Sequence, residues 1–81
     1  MTDHTVQPLG EFLAGRRFPL EAVALLTELD ESTVSRIVNG KARARPTTIV
    51  AMSTGLGVGA RRMKAMCDAA WQAAHEPEGV R

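Results

Sequence analysis

Apolar residues recur three and four positions apart along much of this chain, which is the spacing of one face of an α-helix. The first such group begins at Leu9 and predicts a helix that ends near Arg17. Pro19 breaks this helix and can open a second one, which runs to about Glu28, because proline fixes its own backbone and disfavours a helical residue before it. The predicted inward face of the second helix is Leu20, Val23, Ala24 and Thr27, with Leu25 or Leu26 covering a flank.

The third helix, residues 31–39, has an unusually polar pattern. Val34 and Ile37 face one side, and nearly all the other positions are polar. Asp30 can cap its start by accepting hydrogen bonds from free backbone amides. Gly40 ends it, because glycine adopts left-handed backbone angles at little cost. So polar a helix is typical of one that contacts an external partner.

Two further helices complete an all-α prediction. Pro46 opens the fourth helix, and the glycines at positions 55, 57 and 59 weaken and end it. Its predicted apolar side is Ile49, Val50, Met52, Ser53 and Leu56. The fifth helix, residues 60–74, carries an apolar stripe of Met63, Met66, Cys67, Ala70, Trp71 and Ala74. Residues 1–7 and 76–81 lack a periodic pattern, so we expect flexible tails on either side of one compact five-helix domain over residues 8–75.

The composition narrows the class of protein. Of the 81 residues, 44% are hydrophobic and 23% are charged, a balance typical of a folded globular protein rather than a disordered one. Cys67 is the only cysteine, so no internal disulfide forms, and no apolar run is long enough for a membrane span. We therefore expect a cytoplasmic protein without a membrane partner, and we expect Cys67 to be a small buried side chain.

The polar residues give no indication of catalysis. His4 and His75 lie in or beside the predicted tails and match no metal-ligand spacing. The sequence shows no nucleophile with an adjacent base and no glycine-rich phosphate loop after a strand. We therefore expect no enzymatic activity, no metal, no cofactor and no small-molecule substrate.

The net charge of +1 conceals an uneven distribution. Residues 1–35 contain six acidic and two basic side chains, whereas residues 36–64 contain seven basic side chains and no acidic one. The basic set is Arg36, Lys41, Arg43, Arg45, Arg61, Arg62 and Lys64. A basic block of this kind indicates a polyanionic partner. For the last three of these residues, a solvated helix face, added phosphate contacts and partner binding all remain open.

The second and third helices form a motif with a known shape. Two short helices joined by a short turn around residues 28–30 predict a helix-turn-helix over residues 19–39. Residues 31–40 read E-S-T-V-S-R-I-V-N-G, and residues 45–58 read R-P-T-T-I-V-A-M-S-T-G-L-G-V. With Lys41 between them, these segments resemble the Xre or Cro-type family of phage repressors over residues 9–58.

The resemblance implies a transcriptional regulator, a phage-like repressor, whose third helix lies in the major groove of double-stranded DNA. Matched by position, the residues that face base edges are Glu31, Ser32 and Arg36. Those that contact phosphates are Thr33, Asn39, Lys41, Arg43 and Arg45. The family implies a homodimer on DNA. Apolar surface left over on the fifth helix, at Met63, Met66, Ala70 and Trp71, is the candidate dimer interface.

Some positions depart from the family pattern. Leu20 stands where a phosphate-contacting glutamine is common, and Glu28 stands where glycine is usual in the turn. With Asp30 and Glu31, Glu28 brings three acids to the edge expected to face DNA. These acids either repel the DNA phosphates or only cap and complement the charge at the start of the third helix.

The alternative function is a protein-interaction module or an antitoxin-like protein, in which the helix-turn-helix docks another protein. The salt dependence of DNA binding separates the two functions, because each phosphate contact steepens it.

Overall fold

The computed structural model describes residues 6–75, and within this range the chain forms five α-helices and no strand. They are α1 (Leu9–Gly15), α2 (Leu20–Thr27), α3 (Glu31–Val38), α4 (Pro46–Leu56) and α5 (Ala60–His75). The predicted all-α class and the five helices are confirmed, although α1 ends before the predicted Arg17. Most of the two predicted tails lies outside the described residues. Val6 and Gln7 are exposed and not helical.

Prolines mark the starts of three helices. Pro8 and Pro19 precede α1 and α2, and Pro46 is the first residue of α4. The carbonyl of Pro8 accepts a hydrogen bond from the Phe12 amide at 3.1 Å, and that of Pro19 accepts one from the Val23 amide at 3.0 Å. The missing N–H of proline costs nothing here, because the first amides of a helix have no partner within it.

The core draws side chains from all five helices. Six of them are almost completely shielded from solvent: Leu9, Val23, Val34, Met52, Met63 and Met66. Helix α5 packs against α1, α3 and α4, and α2 packs against α3 and α4. Cys67 is buried as predicted, and burial, followed by the charge of Asp68, raises the pKa of its thiol to about 11. The thiol therefore stays protonated at neutral pH and behaves as an apolar side chain.

Three large apolar side chains are exposed, although we expected Val50 and one of Leu25 and Leu26 to be covered. Leu25 is 81% exposed, Leu26 is 47% exposed and Val50 on α4 is 58% exposed. The predicted flank of α2 and part of the predicted apolar side of α4 are therefore wrong. Helix α2 is covered on the side of Val23 and Thr27, which lie one turn apart, and Leu25 projects away from that side.

Helices α2 and α4 approach each other closely at Gly55. A Cβ atom at Gly55 would lie 2.5 Å from the carbonyl oxygen of Leu26 and 2.9 Å from the Cα atom of Thr27. The glycines were predicted to weaken and end α4: the helix ends at Leu56, Gly57 caps it in the left-handed conformation, and Gly55 lies inside it. The absence of a side chain lets the backbones of the two helices touch.

Candidate nucleic-acid interface

Helix α3 is held to the core by one side and leaves the other side open. Val34 and Ile37 are buried, and Val38 packs against the same core. The opposite side exposes Glu31, Ser32, Arg36 and Asn39, while Thr33 and Ser35 are half-buried. Within residues 6–75, no segment covers this polar side of α3. The predicted base-contacting residues therefore share one accessible surface.

The turn before α3 begins with a strained residue. Glu28 ends α2 in the left-handed conformation, with φ 61°. Side chains disfavour this conformation, which explains why glycine is usual there. Leu29 then packs against the core, which fixes the turn.

Asp30 occupies the cap position of α3 without the predicted side-chain bond. Its carbonyl accepts a hydrogen bond from the Val34 amide at 3.1 Å, but its carboxylate makes no capping hydrogen bond to the described residues. The predicted capping role of the Asp30 side chain is therefore wrong. The exposed carboxylates of Asp30 and Glu31 still complement the positive end of the α3 dipole.

Two polar side chains of α3 lie back along the helix. The Nε atom of Arg36 donates a hydrogen bond to the carbonyl oxygen of Ser32 at 3.4 Å. The Nδ2 atom of Asn39 donates to the carbonyl oxygen of Ser35 at 2.9 Å and lies 3.3 Å from its hydroxyl oxygen. The Arg36 side chain therefore lies on the same strip of surface as Ser32, and Ser32 is the residue one turn closer to the start of α3.

The turn after α3 connects it rigidly to the basic loop. Gly40 has φ 71°, and the Lys41 amide donates to the carbonyl oxygen of Arg36 at 2.7 Å. A Cβ atom at Gly40 would lie 2.2 Å from the Cβ of Ala74 and 2.8 Å from the carbonyl oxygen of Ala70. Helix α5 therefore packs directly on the end of α3, and only glycine fits between them.

The basic loop presents its cations next to α3. Lys41, Arg43 and Arg45 are all exposed. Arg43 also contacts α5: its Nη2 atom lies 3.8 Å from Oδ1 of Asp68, and its guanidinium lies 5.5 Å from the centroid of the Trp71 ring. The predicted phosphate contacts thus lie on α3 or in the adjoining loop.

The candidate dimer interface needs correction. Met63, Met66 and Ala70 are buried in the chain's own core, where they hold α5 against the other helices. These three side chains therefore offer no surface to a second copy. Trp71 remains half-buried and stacks on the His75 ring, with 3.9 Å between the ring centroids. Of the predicted set, Trp71 alone keeps accessible surface.

Asp68 is a residue of this region that the sequence reasoning missed. It lies just beyond the basic block, and its Oδ2 atom is 2.8 Å from Nζ of Lys64. The spacing of four residues between Lys64 and Asp68 on α5 could have indicated this pair. No spacing rule could have indicated its second partner, Arg43, which lies in a distant loop.

Two arginines outside the basic loop pack on the ring of Phe12. The guanidinium groups of Arg16 and Arg62 lie 4.9 Å and 5.4 Å from the centroid of the Phe12 ring. Arg16 lies over the ring from the end of the same helix, whereas Arg62 joins the first turn of α5 to α1 through its cation–π contact. Lys64 is paired with Asp68, so both of these basic residues of α5 have a contact within the described fold.

A family model described as helix-turn-helix matches residues 15–62, which extend from the end of α1 into the first turn of α5. No curated protein and no solved structure matches the chain. Within residues 6–75, no three His, Cys, Asp or Glu side chains are grouped so that they could hold a metal ion. None of the helices described is both long and apolar enough to span a bilayer.

Proposed function

Because this chain belongs to the Xre/Cro-like helix-turn-helix family of DNA-binding regulators, we propose that it is a sequence-specific repressor that inserts α3 into the major groove of double-stranded DNA. The observation that carries this proposal is the exposed polar side of α3 beside an exposed basic loop. A polar surface flanked by cations matches base edges flanked by phosphates. The proposed role is binding rather than catalysis.

Three residues of α3 read the bases in this proposal. Arg36 donates two hydrogen bonds to O6 and N7 of a guanine, which discriminates by about 1–3 kcal/mol. Glu31 accepts from a cytosine amino group, and Ser32 can donate or accept. The hydrogen bond from Arg36 to the Ser32 carbonyl is long and exposed, so exchanging it for a base costs little.

The phosphate contacts come from both ends of the same surface. They are assigned to Thr33, Asn39, Lys41, Arg43 and Arg45, which are half-buried or exposed. The Gly40 turn fixes the loop relative to α3, so phosphate contacts set the register in which α3 meets the bases. The acids Glu28 and Asp30, which are assigned no base, lower the affinity for any duplex.

A homodimer completes the proposal. Related domains read two half-sites about one turn of DNA apart, and repression follows when the dimer blocks a promoter in the cytoplasm. Since α5 packs on the end of α3 through Gly40, a contact between copies through the exposed part of Trp71 would fix the distance between two α3 helices.

The test compares two substitutions after binding sites have been selected from random DNA. Arg36→Ala should relax the preference at one base pair in each half-site, by about 1–3 kcal/mol. Lys41→Ala should weaken binding to all sequences alike and reduce the slope of log affinity against log salt by about 0.9. Fluorescence anisotropy with selected and random duplexes measures both effects. Two variants that bind both duplexes as the parent does would rule out the groove assignment.

The second candidate function is docking of another protein, as in an antitoxin-like partner. The exposed side chains of Leu25, Leu26 and Val50 on the packed pair α2 and α4 favour it, because large apolar side chains left exposed are available for protein contacts. DNA binding predicts a steep loss of affinity with salt, whereas a protein-only role predicts a shallow one. The same anisotropy titrations therefore decide between the two.

A further inference from the structure

Arg43 already has partners before any DNA is bound. Its guanidinium lies beside the Asp68 carboxylate, 3.8 Å from Nη2 to Oδ1, and 5.5 Å from the centroid of the Trp71 ring. Both partners are on α5, whereas Arg43 belongs to the loop that follows α3. The side chain proposed to contact phosphate is thus held against the body of the fold.

The hold on Arg43 is weak. The Arg43 and Asp68 side chains are 63% and 38% exposed, and exposed ion pairs at such distances stabilise little because water and salt screen them. A phosphate oxygen that accepts a direct hydrogen bond from a guanidinium interacts more strongly. A phosphate can therefore displace Asp68.

Asp68 does not become an unpaired charge when Arg43 leaves. Its other carboxylate oxygen is 2.8 Å from Nζ of Lys64, one turn earlier on α5. The N–O distance of this second pair is shorter than that of the first. The charge of Lys64 therefore balances that of the Asp68 carboxylate whether or not Arg43 is present. The arrangement lets Arg43 change partner while α5 stays intact.

We propose that Asp68 is a positioning residue that holds Arg43 against Trp71 in the free protein and releases it to a DNA phosphate on binding. This inference rests on the proposed DNA-binding function. The competition lowers the affinity for every sequence by the same factor, because Arg43 reads no base. Asp68 therefore sets the strength of binding, and Arg36 sets its specificity.

The first experiment measures anisotropy of the full chain with a selected and a random duplex at several salt concentrations. Asp68→Asn should tighten binding to both duplexes equally, by up to about fivefold, which is the value of an exposed ion pair converted at tenfold per 1.4 kcal/mol. Glu11→Gln is the charge-matched control, because Glu11 is exposed and takes part in no ion pair with the described residues. It should change the affinity much less.

A double-mutant cycle assigns the effect to Arg43 rather than to Lys64. Arg43→Gln should weaken both complexes and reduce the salt slope by about 0.9. In the Arg43→Gln background, Asp68→Asn should lose most of its effect. An undiminished effect in that background would overturn the inference, because it would then arise from Lys64 or from net charge.

The second experiment uses Trp71, the only tryptophan in the chain, as a reporter. Its emission should change when the random duplex is added, because the guanidinium leaves the ring. Without DNA, the Trp71 emission of the Arg43→Gln variant should already resemble that of the parent bound to DNA. Adding DNA should then change it much less. This variant alters an exposed side chain, so it keeps the test decisive even if Asp68→Asn lowers the melting temperature.

The outcomes separate the two proposals. If the parent protein retains no duplex in dilute buffer, the proposed function fails and this inference fails with it. If the parent binds DNA but Asp68→Asn binds no more tightly than Glu11→Gln, only the role of Asp68 is wrong.

Discussion

Helices α2 and α3 have the same length and nearly the same attachment to the core, yet they present opposite surfaces. Each has eight residues, and each is anchored by two buried side chains: Val23 and Thr27 in α2, and Val34 and Ile37 in α3. Outward, α2 exposes two leucines and α3 exposes polar side chains. A small buried side, with Leu20 or Val38 packed beside it, therefore attaches each helix to the core and leaves the opposite side free for function.

The ends of the two helices differ as well. Helix α2 ends on Glu28, a residue with a side chain in the left-handed conformation, and its last turn touches Gly55 of α4. Helix α3 is followed by Gly40, also left-handed, and this turn touches α5. Strain is tolerated after α2, whereas the turn after α3 has no room for even one methyl group.

The largest expected effect comes from adding that methyl group. Gly40→Ala should destabilise the protein by about 2–4 kcal/mol, because a left-handed alanine and a clash with α5 add together. Gly57→Ala is the matched control: Gly57 has φ 69° and nothing within 4 Å of the added atom. The Gly57→Ala variant should lose only about 1–2 kcal/mol of its free energy of unfolding. Urea denaturation measures both, and equal losses would contradict the tight contact between α3 and α5.

A smaller effect of opposite sign is expected after α2. Glu28→Gly should stabilise the protein by about 0.5–1 kcal/mol, since relief of the left-handed strain exceeds the added flexibility of the unfolded chain. Arg17, with φ 59°, offers the matched variant Arg17→Gly with a similar gain.

The same pair of variants tests the acids beside α3. If they oppose phosphates, Glu28→Gly binds random duplex more tightly than the parent, whereas Arg17→Gly does not. Unchanged affinity for Glu28→Gly would instead show that this acid acts only on the start of α3.

The smallest effect is expected on the exposed side of α2. Leu25→Ser should change the free energy of unfolding by no more than about 0.5 kcal/mol and leave DNA affinity unaltered, because Leu25 is 81% exposed. Val23→Ala, on the same helix but fully buried, is the control that must lose stability. Thermal melts and anisotropy test this prediction. A marked loss of DNA affinity for Leu25→Ser would mean that α2 and α3 share one binding surface.

Much of the fold could be predicted from local signals. Proline and glycine act through their own backbone angles, so the start of α4 was predicted correctly at Pro46 and the end of α3, predicted at Asn39, lies one residue earlier at Val38. The polar side of α3 was also predictable, because its apolar residues Val34, Ile37 and Val38 all lie on one side of the helix. Gly55 shows the limit of such signals, since its close approach to the backbone of Leu26 and Thr27 depends on how α2 and α4 pack and not on neighbouring residues in the chain.

The sequence by itself determined five helices, the polarity of α3 and the basic block after it, because these depend on the order of neighbouring residues. The tertiary structure alone decided which apolar residues are covered. Periodicity defines a face of a helix but not the neighbour that packs on it, so Met63 and Met66 are buried while Leu25 and Val50 are exposed. The contact of Arg43 with Asp68 and Trp71 is likewise a product of folding, because it joins a loop to a helix far along the chain.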